Sequence, residues 1–466
     1  MSTARTFGKS ATLVALCLLS PFTLGADEGA PRQLILVLDG VPLGAVRSYL
    51  DDREAAPGDG LSGFRGPVPL ISTFPSTTSV AMTGILSSLG LDTPPGYEAR
   101  FFDRESGRVR GGGPISYFKI EFPWREFFHW RGPGVWGNAI GALRSIEDSK
   151  DRVDEVIEAF LASSEPVFFG HIGSTDRVGH LKAPAALEEV LEHLDRGLAA
   201  ARREHPDLDF RVTLLSDHGM SGGTPLVNVA KPVRRSLGRQ GYRVRKKLKR
   251  PRDVALTPYG LVSSFEVYGA EGGELELARS LVTVEGVELC VAVDGAGWRV
   301  VGDDGEARID RQRTGQQAIW TYRPLSGDPI DYERVRVALE DERGSAAGYD
   351  SAAWLAATAD HYYPDALSRI AGGFELVDNS ASVICSVGPG HMFGARKTAA
   401  GSRISGQRVL YTHGALDRPS SEGFLMTECP SWRPAAALRF DQGLVEAIEC
   451  PAPGSSDGRR IAATGE

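Results

Sequence analysis

The chain has 466 residues, 42% hydrophobic and 24% charged, with a formal net charge of -8. That length suits one large domain carrying an insertion, or two domains. The acidity excludes a general nucleic-acid binder, which would carry a basic excess, and is too mild for a disordered polyanion.

Residues 1–26 read as a secretory signal peptide. Arg5 and Lys9 precede an apolar run from Ala11 to Leu24, and Gly25 and Ala26 come before acidic Asp27 and Glu28. Pro21 interrupts the run too early for a comfortable membrane span. No later stretch is long and apolar enough for a transmembrane helix. The expectation is export, to the periplasm or outside the cell, with no membrane span. Cys290, Cys385, Cys429 and Cys450 then remain, an even number that permits disulfides without fixing their pairing. Cys429 with Cys450 is the pair expected, against the alternative of four buried thiols.

Four short apolar runs stop abruptly in polar residues. Leu34 to Leu38 stops at Asp39, Val167 to Ile172 at Asp176, Val212 to Leu215 at Asp217 and His218, and Val409 to Tyr411 at His413. Such runs read as strands buried on both faces of a parallel sheet. Between them, Leu187, Val190, Leu191, Leu194 and Leu198 repeat at helical spacing within Ala185 to Arg203, and Pro184 suits the start. The alternation predicts an α/β fold, a three-layer sandwich whose mostly parallel central sheet is flanked by helices. Ligands gather beyond the carboxyl ends of such strands, where all four polar stops are expected.

From 231 to 345 the pattern turns to short strands, with Asp-Gly pairs at 294–295 and 304–305 that suggest hairpins. This reads as a smaller β-rich inserted subdomain. It divides a catalytic core of residues 27–230 and 346–450, and a polar tail follows at 451–466. The insertion opens with Arg243, Arg245, Lys246, Lys247, Lys249 and Arg250, read as a solvated face or a rim that steers anions.

Asp39, Thr73, Asp176, His180, Asp217, His218 and His413 form the candidate site. Three carboxylates and three imidazoles at one sheet edge would repel and desolvate one another without cations between them. Mixed nitrogen and oxygen ligands point to two zinc ions. Three aspartates and a deprotonated Thr73 would balance their four positive charges.

The motifs LVLDG, STFPS, STDRVGH, LSDHG and THG occur in the order found in the alkaline phosphatase superfamily. They most resemble its nucleotide pyrophosphatase/phosphodiesterase branch, from Leu34 to about Met426. The resemblance implies that Asp39, Asp217 and His218 hold the metal bound to the nucleophile, Thr73. Asp176, His180 and His413 would hold the metal facing the leaving group, with His391 as a competitor to His413 and His171 behind the ligands. Attack by Thr73 would give a phospho-threonine that water then cleaves. Ser72 and Ser76 to Ser79 are near competitors for Thr73's role, with helix capping as their default.

The branch also carries an asparagine that donates to a phosphoryl oxygen, and Glu98 stands at that place. A shifted alignment, another donor (Asn138, Lys119 or Arg100) or a different substrate would account for it. Lys119 and Arg125 are candidate clamps for a monoester, and Phe74, Phe101, Tyr117 and Trp124 candidate walls for a diester. The expected partner is a small phosphoric ester, without sequence-specific nucleic-acid binding. The expected function is a secreted phosphodiesterase or nucleotide pyrophosphatase, with a phosphomonoesterase or an alcohol phosphotransferase as the alternatives.

Overall fold

A computed structural model describes residues 30–52, 60–112, 122–132, 144–314, 317–344, 347–395, 409–433, 435–443 and 450. The signal-peptide segment, Tyr117, Lys119, Asn138 and the tail 451–466 lie outside them. The main sheet has seven strands: β1 (Arg32–Leu38), β2 (Arg65–Ile71), β3 (Trp130–Arg131), β4 (Val167–Ile172), β5 (Phe210–Leu215), β6 (Glu422–Thr427) and β7 (Leu438–Arg439). Their spatial order is β7-β2-β6-β5-β1-β4-β3. All neighbours run parallel except at β6, which is antiparallel to both β2 and β5.

β1 lies inside the sheet and is apolar on both faces. Leu34, Leu36 and Leu38 pack on α1 (Leu43–Asp51), α3 (Ser145–Ala162) and α5 (Leu187–Glu204). Ile35 and Val37 point the other way, into a core shared with Met82 and Ile85 of α2 (Thr78–Leu86). That alternation is the two-residue period of a strand covered on both sides. The molecule is an α/β sandwich with a mostly parallel central sheet. The leucine repeat of α5 faces the core, and a short 3-10 turn, Pro184–Ala186, precedes it.

One expected strand takes a different place. The run ending at His413 forms only Tyr411–Thr412, paired with Ser221–Gly222 in a separate two-stranded ribbon. The apolar run is short, and the longer β6 that follows fills the position beside β5 instead. His413 therefore reaches the site from a loop over the sheet and not from a strand of it.

A second sheet has nine strands between Arg243 and Val387. Both Asp-Gly pairs lie at its hairpins, where Asp294 pairs with Gly297 and Gly302 with Gly305. Its strand Val383–Val387 comes from beyond residue 345, so the sheet draws on two parts of the chain.

Two disulfides are present. Cys290–Cys385 joins paired strands of the second sheet, and Cys429–Cys450 fastens the chain after β6. No helix among the described residues is long and apolar enough to cross a membrane. Because Cys429 and Cys450 are 21 positions apart, their link restricts the unfolded chain by about 3 kcal/mol. Cys429→Ser with Cys450→Ser should lower stability by about that amount in urea unfolding. An unchanged midpoint would show that the link does not constrain the chain.

Candidate metal centre and active site

The cluster forms where three parallel strands end. Asp39 follows β1, Asp217 and His218 follow β5, and β4 leads through Gly173 into α4 (Ser174–Lys182). Asp176 and His180 sit four residues apart on α4, hence on one face of it. Gly40 turns the chain after Asp39 with φ +66°, and a Cβ there would meet Asp176 Oδ1 at 3.0 Å and His218 at 3.1 Å. Only glycine lets the strand end approach so closely.

Each of the three histidines is held by a backbone carbonyl. The Nδ1 atoms of His180, His218 and His413 lie 2.7, 3.0 and 2.7 Å from the carbonyl oxygens of Tyr411, Gly219 and Ser76. A carbonyl can only accept, so Nδ1 carries the proton and Nε2 faces inward. His180 Nε2 and His413 Nε2 lie 3.4 and 3.5 Å from Asp176 Oδ1. His218 Nε2 lies 3.4 Å from Asp39 Oδ1 and 3.5 Å from Asp217 Oδ2. His171, the neighbour expected behind the ligands, approaches the other oxygen of Asp39 at 3.3 Å.

Lone pairs thus converge on lone pairs. Among the described residues Asp176 Oδ1 and Asp217 Oδ2 are buried without a hydrogen-bond partner, an arrangement that a cation would relieve. Separations of this size match the edge of a tetrahedron, about 3.3 Å, whose centre lies about 2.0–2.1 Å from nitrogen and oxygen corners. Two sets can each surround a cation: Asp39, Asp217 and His218; and Asp176, His218 and His413. His180 adds its Nε2 beside the second.

The electrostatics agree. Burial and then the charge of Asp39 push the Asp217 carboxyl up to about 7. Burial opposes charge on His218, yet Asp217 and Asp39 raise its proton affinity to about 10. His413 stacks on His218 with ring centroids 3.8 Å apart, and burial plus that neighbouring charge push it down to about 3. The bare cluster attracts positive charge strongly and spreads it poorly over imidazoles.

Thr73 does not join the cluster. Its buried hydroxyl donates to the Pro75 carbonyl at 3.0 Å, and its methyl lies against α2 at Gly84. Thr78, the first residue of α2, stands there instead. Its hydroxyl lies 3.3 Å from Asp39 Oδ1 and 3.5 Å from His218 Nε2. The sequence places Thr78 only among the competitors of Thr73, because the stretch Ser72 to Ser79 holds six hydroxyl residues and nothing local tells which one the helix start presents. Ser76 holds Gly414 through its hydroxyl, and its carbonyl holds His413. His391 lies on another strand with Nδ1 toward the Pro389 carbonyl.

A residue that the sequence does not single out is Arg369, fully buried. Its guanidinium donates to the carbonyls of Thr73 (3.3 Å), Leu416 (2.8 Å) and Pro364 (3.0 Å), and to the Ser421 hydroxyl. It ties the loop before α2 to the loop that carries His413.

The cluster opens into a cavity of 820 Å³. Thr78 and Asp176 line it, and Phe122, Trp124, Trp130 and Tyr259 supply aromatic wall. Arg125 also lines it, stacked over the rings of Phe122 and Trp124. Phe74 is buried in the other core, and Phe101 packs on Gly96. Glu98 lines the cavity and accepts from the Gly260 amide at 3.1 Å, and burial pushes its carboxyl up to about 7.

Fold and site together define an α/β protein with a paired carboxylate–imidazole centre beside a helix-borne hydroxyl. Solved structures similar to this chain include a phosphonoacetate hydrolase and an ectonucleotide pyrophosphatase/phosphodiesterase. One is the phosphonoacetate hydrolase of Sinorhizobium meliloti 1021, 12% identical, with a TM-score of 0.48 over 91% of this chain and 96% of that one. Another is murine ectonucleotide pyrophosphatase/phosphodiesterase 5, 12% identical, with a TM-score of 0.42 over 88% of this chain and 92% of that one. At such identity the likeness is one of fold. No protein-family model matches the chain, and no curated protein matches it in sequence.

The crowding at Gly40 makes it a direct test of the centre. Gly40→Ala should keep the fold while retention of divalent metal falls about tenfold or more, measured by titration after dialysis. Full retention would mean the cluster tolerates displacement.

Proposed function

We propose that the chain is an exported phosphodiesterase working through two zinc ions and a threonine nucleophile, and that the nucleophile is Thr78. One observation carries this reading: inward-facing Nε2 atoms and carboxylate oxygens converge beside the Thr78 hydroxyl. Asp39, Asp217 and His218 would hold one ion, and Asp176, His180 and His413 the other. The mixed nitrogen and oxygen donors suit zinc. Bound there, zinc would lower the proton affinity of a nearby hydroxyl and offset charge on the phosphoryl oxygens.

The chain's own groups do the rest. Asp39 accepts from the Thr78 hydroxyl and aims it. Thr78 also sits at the first position of α2, where the helix dipole favours a developing anion. Its oxygen attacks phosphorus as the bond to the leaving oxygen breaks, and the proton it gives up ends, through water, on that departing oxygen. Phospho-Thr78 and a free alcohol result. Water then cleaves the phosphorus–Oγ bond, returning Thr78 and releasing the phosphate monoester.

The cavity supports a diester over a monoester. A diester carries a second substituent, and Phe122, Trp124, Trp130 and Tyr259 offer it apolar wall. Export is supported by two disulfides, which persist in oxidising compartments, and by the leader-like residues 1–26.

Two experiments test the reading. Chelation should abolish hydrolysis of a chromogenic diester and added zinc restore it, with a chromogenic monoester cleaved more slowly. Activity that persists in excess chelator sinks the metal assignment, and a faster monoester reverses the substrate preference. Thr78→Ala should lower turnover by about a thousandfold or more with metal still bound, whereas Thr73→Ala should stay within about tenfold of the parent. The opposite ranking would return the role to Thr73.

A further inference from the structure

The acidity of this chain is unevenly spread. Residues 100–111 and 231–253 hold fifteen Lys and Arg against three acids, Asp103, Glu105 and Asp253, in a chain of net charge -8. The remainder is accordingly much more acidic than the whole.

The fold brings these basic segments together. In the hairpin of strands Arg100–Asp103 and Arg108–Gly111, the Val109 amide donates to the Lys246 carbonyl at 2.7 Å. The Leu248 amide returns a bond to Gly107 at 3.0 Å, and Arg243 bonds Arg252 across paired strands. The helix Ala230–Arg239, here α6, packs beside them, with Arg234 close enough to Arg100 for the two charges to oppose each other.

Few of these charges are neutralised. Arg110 pairs with Asp103 and Arg243 with Asp253 at 2.8 Å, while Arg104 and Arg252 donate to backbone carbonyls. Among the described residues no carboxylate pairs with Arg108, Arg245, Lys246, Lys247, Lys249 or Arg250, all exposed. The same holds for Lys231, Arg234, Arg235 and Arg239 on α6.

The character of the face narrows the partner. Among the described residues the exposed large apolar ones are Val227, Val293, Leu325, Val337 and Tyr362, and none lies in these segments. A protein interface would centre on buried aromatic and apolar anchors, which this face lacks. Single-stranded nucleic acid needs exposed rings for stacking. Here Phe102 and Tyr242 are buried, Arg252 covers the Tyr242 ring, and Phe101 is half-buried against Gly96, so no ring of these segments stands fully exposed. What remains is charge alone, spread over a hairpin, a strand edge and a helix face. That suits a broad anionic surface, and the acidic remainder of the molecule would turn this face toward it.

We propose that the hairpin 100–111, the strip 245–250 and α6 form a docking face for an anionic lipid surface. The face adjoins the catalytic cavity, because Arg100 follows directly on Ala99 of the cavity wall. Docking would bring the cavity mouth close to the headgroup layer.

The test is co-sedimentation of the full chain with vesicles, which reads nothing from turnover. At about 0.1 M salt it should bind phosphatidylcholine vesicles containing about one quarter phosphatidylglycerol, and not phosphatidylcholine alone. Lys246→Glu, Lys247→Glu and Lys249→Glu combined should weaken binding by about a hundredfold or more, with an unchanged melting temperature. Should that variant fold poorly, Lys231→Glu with Arg235→Glu on α6 must weaken binding in the same direction. Parent protein that ignores phosphatidylglycerol, or charge-reversed protein that binds equally well, overturns the proposal. So does retention by a short oligonucleotide in place of vesicles.

Discussion

The structure depends on one constraint: hydrogen-bond acceptors are made to face each other. Three imidazoles are anchored by Nδ1–H bonds to the carbonyls of Tyr411, Gly219 and Ser76, leaving Nε2 lone pairs turned toward Asp39, Asp176 and Asp217. A protein gains nothing from this arrangement by itself, since buried acceptors without donors destabilise the fold. The surrounding structure sustains it: β1 is apolar on both faces, β5 buries Phe210, Val212 and Leu214 on one, Gly40 admits the close approach, and Arg369 fastens two loops. The cost is localised, and the centre is where a cation would recover it.

Much of this was legible in the sequence for a simple reason. A strand covered on both faces is written as an unbroken apolar run, so its end is conspicuous, and Asp39, Asp176, Asp217 and His218 stand just past such ends. Helical spacing marked α5 equally clearly. The disulfide Cys429–Cys450 joins near neighbours in the chain, 21 positions apart, whereas Cys290–Cys385 depends on the pairing of two strands 95 positions apart.

What stayed hidden depended on directions and not on residue types. The segment Ser72 to Ser79 is dense in hydroxyls, and which one faces the cluster is decided by where α2 begins. Thr73 points back into the packing and Thr78 points out. His413 stands out by its neighbours in sequence, but three apolar residues do not specify the short ribbon that delivers it. Arg369 resembles any helix-surface arginine in sequence, and only its burial against four acceptors reveals it.

The ligands also have an order in time. Asp39, Asp176, Asp217 and His218 all belong to the first half of the chain, while His413 and the loop that Arg369 secures come near its end. During synthesis an emerging chain therefore displays acids long before the last imidazole arrives to complete the second set. Closing the second set around a cation would therefore await a nearly finished chain.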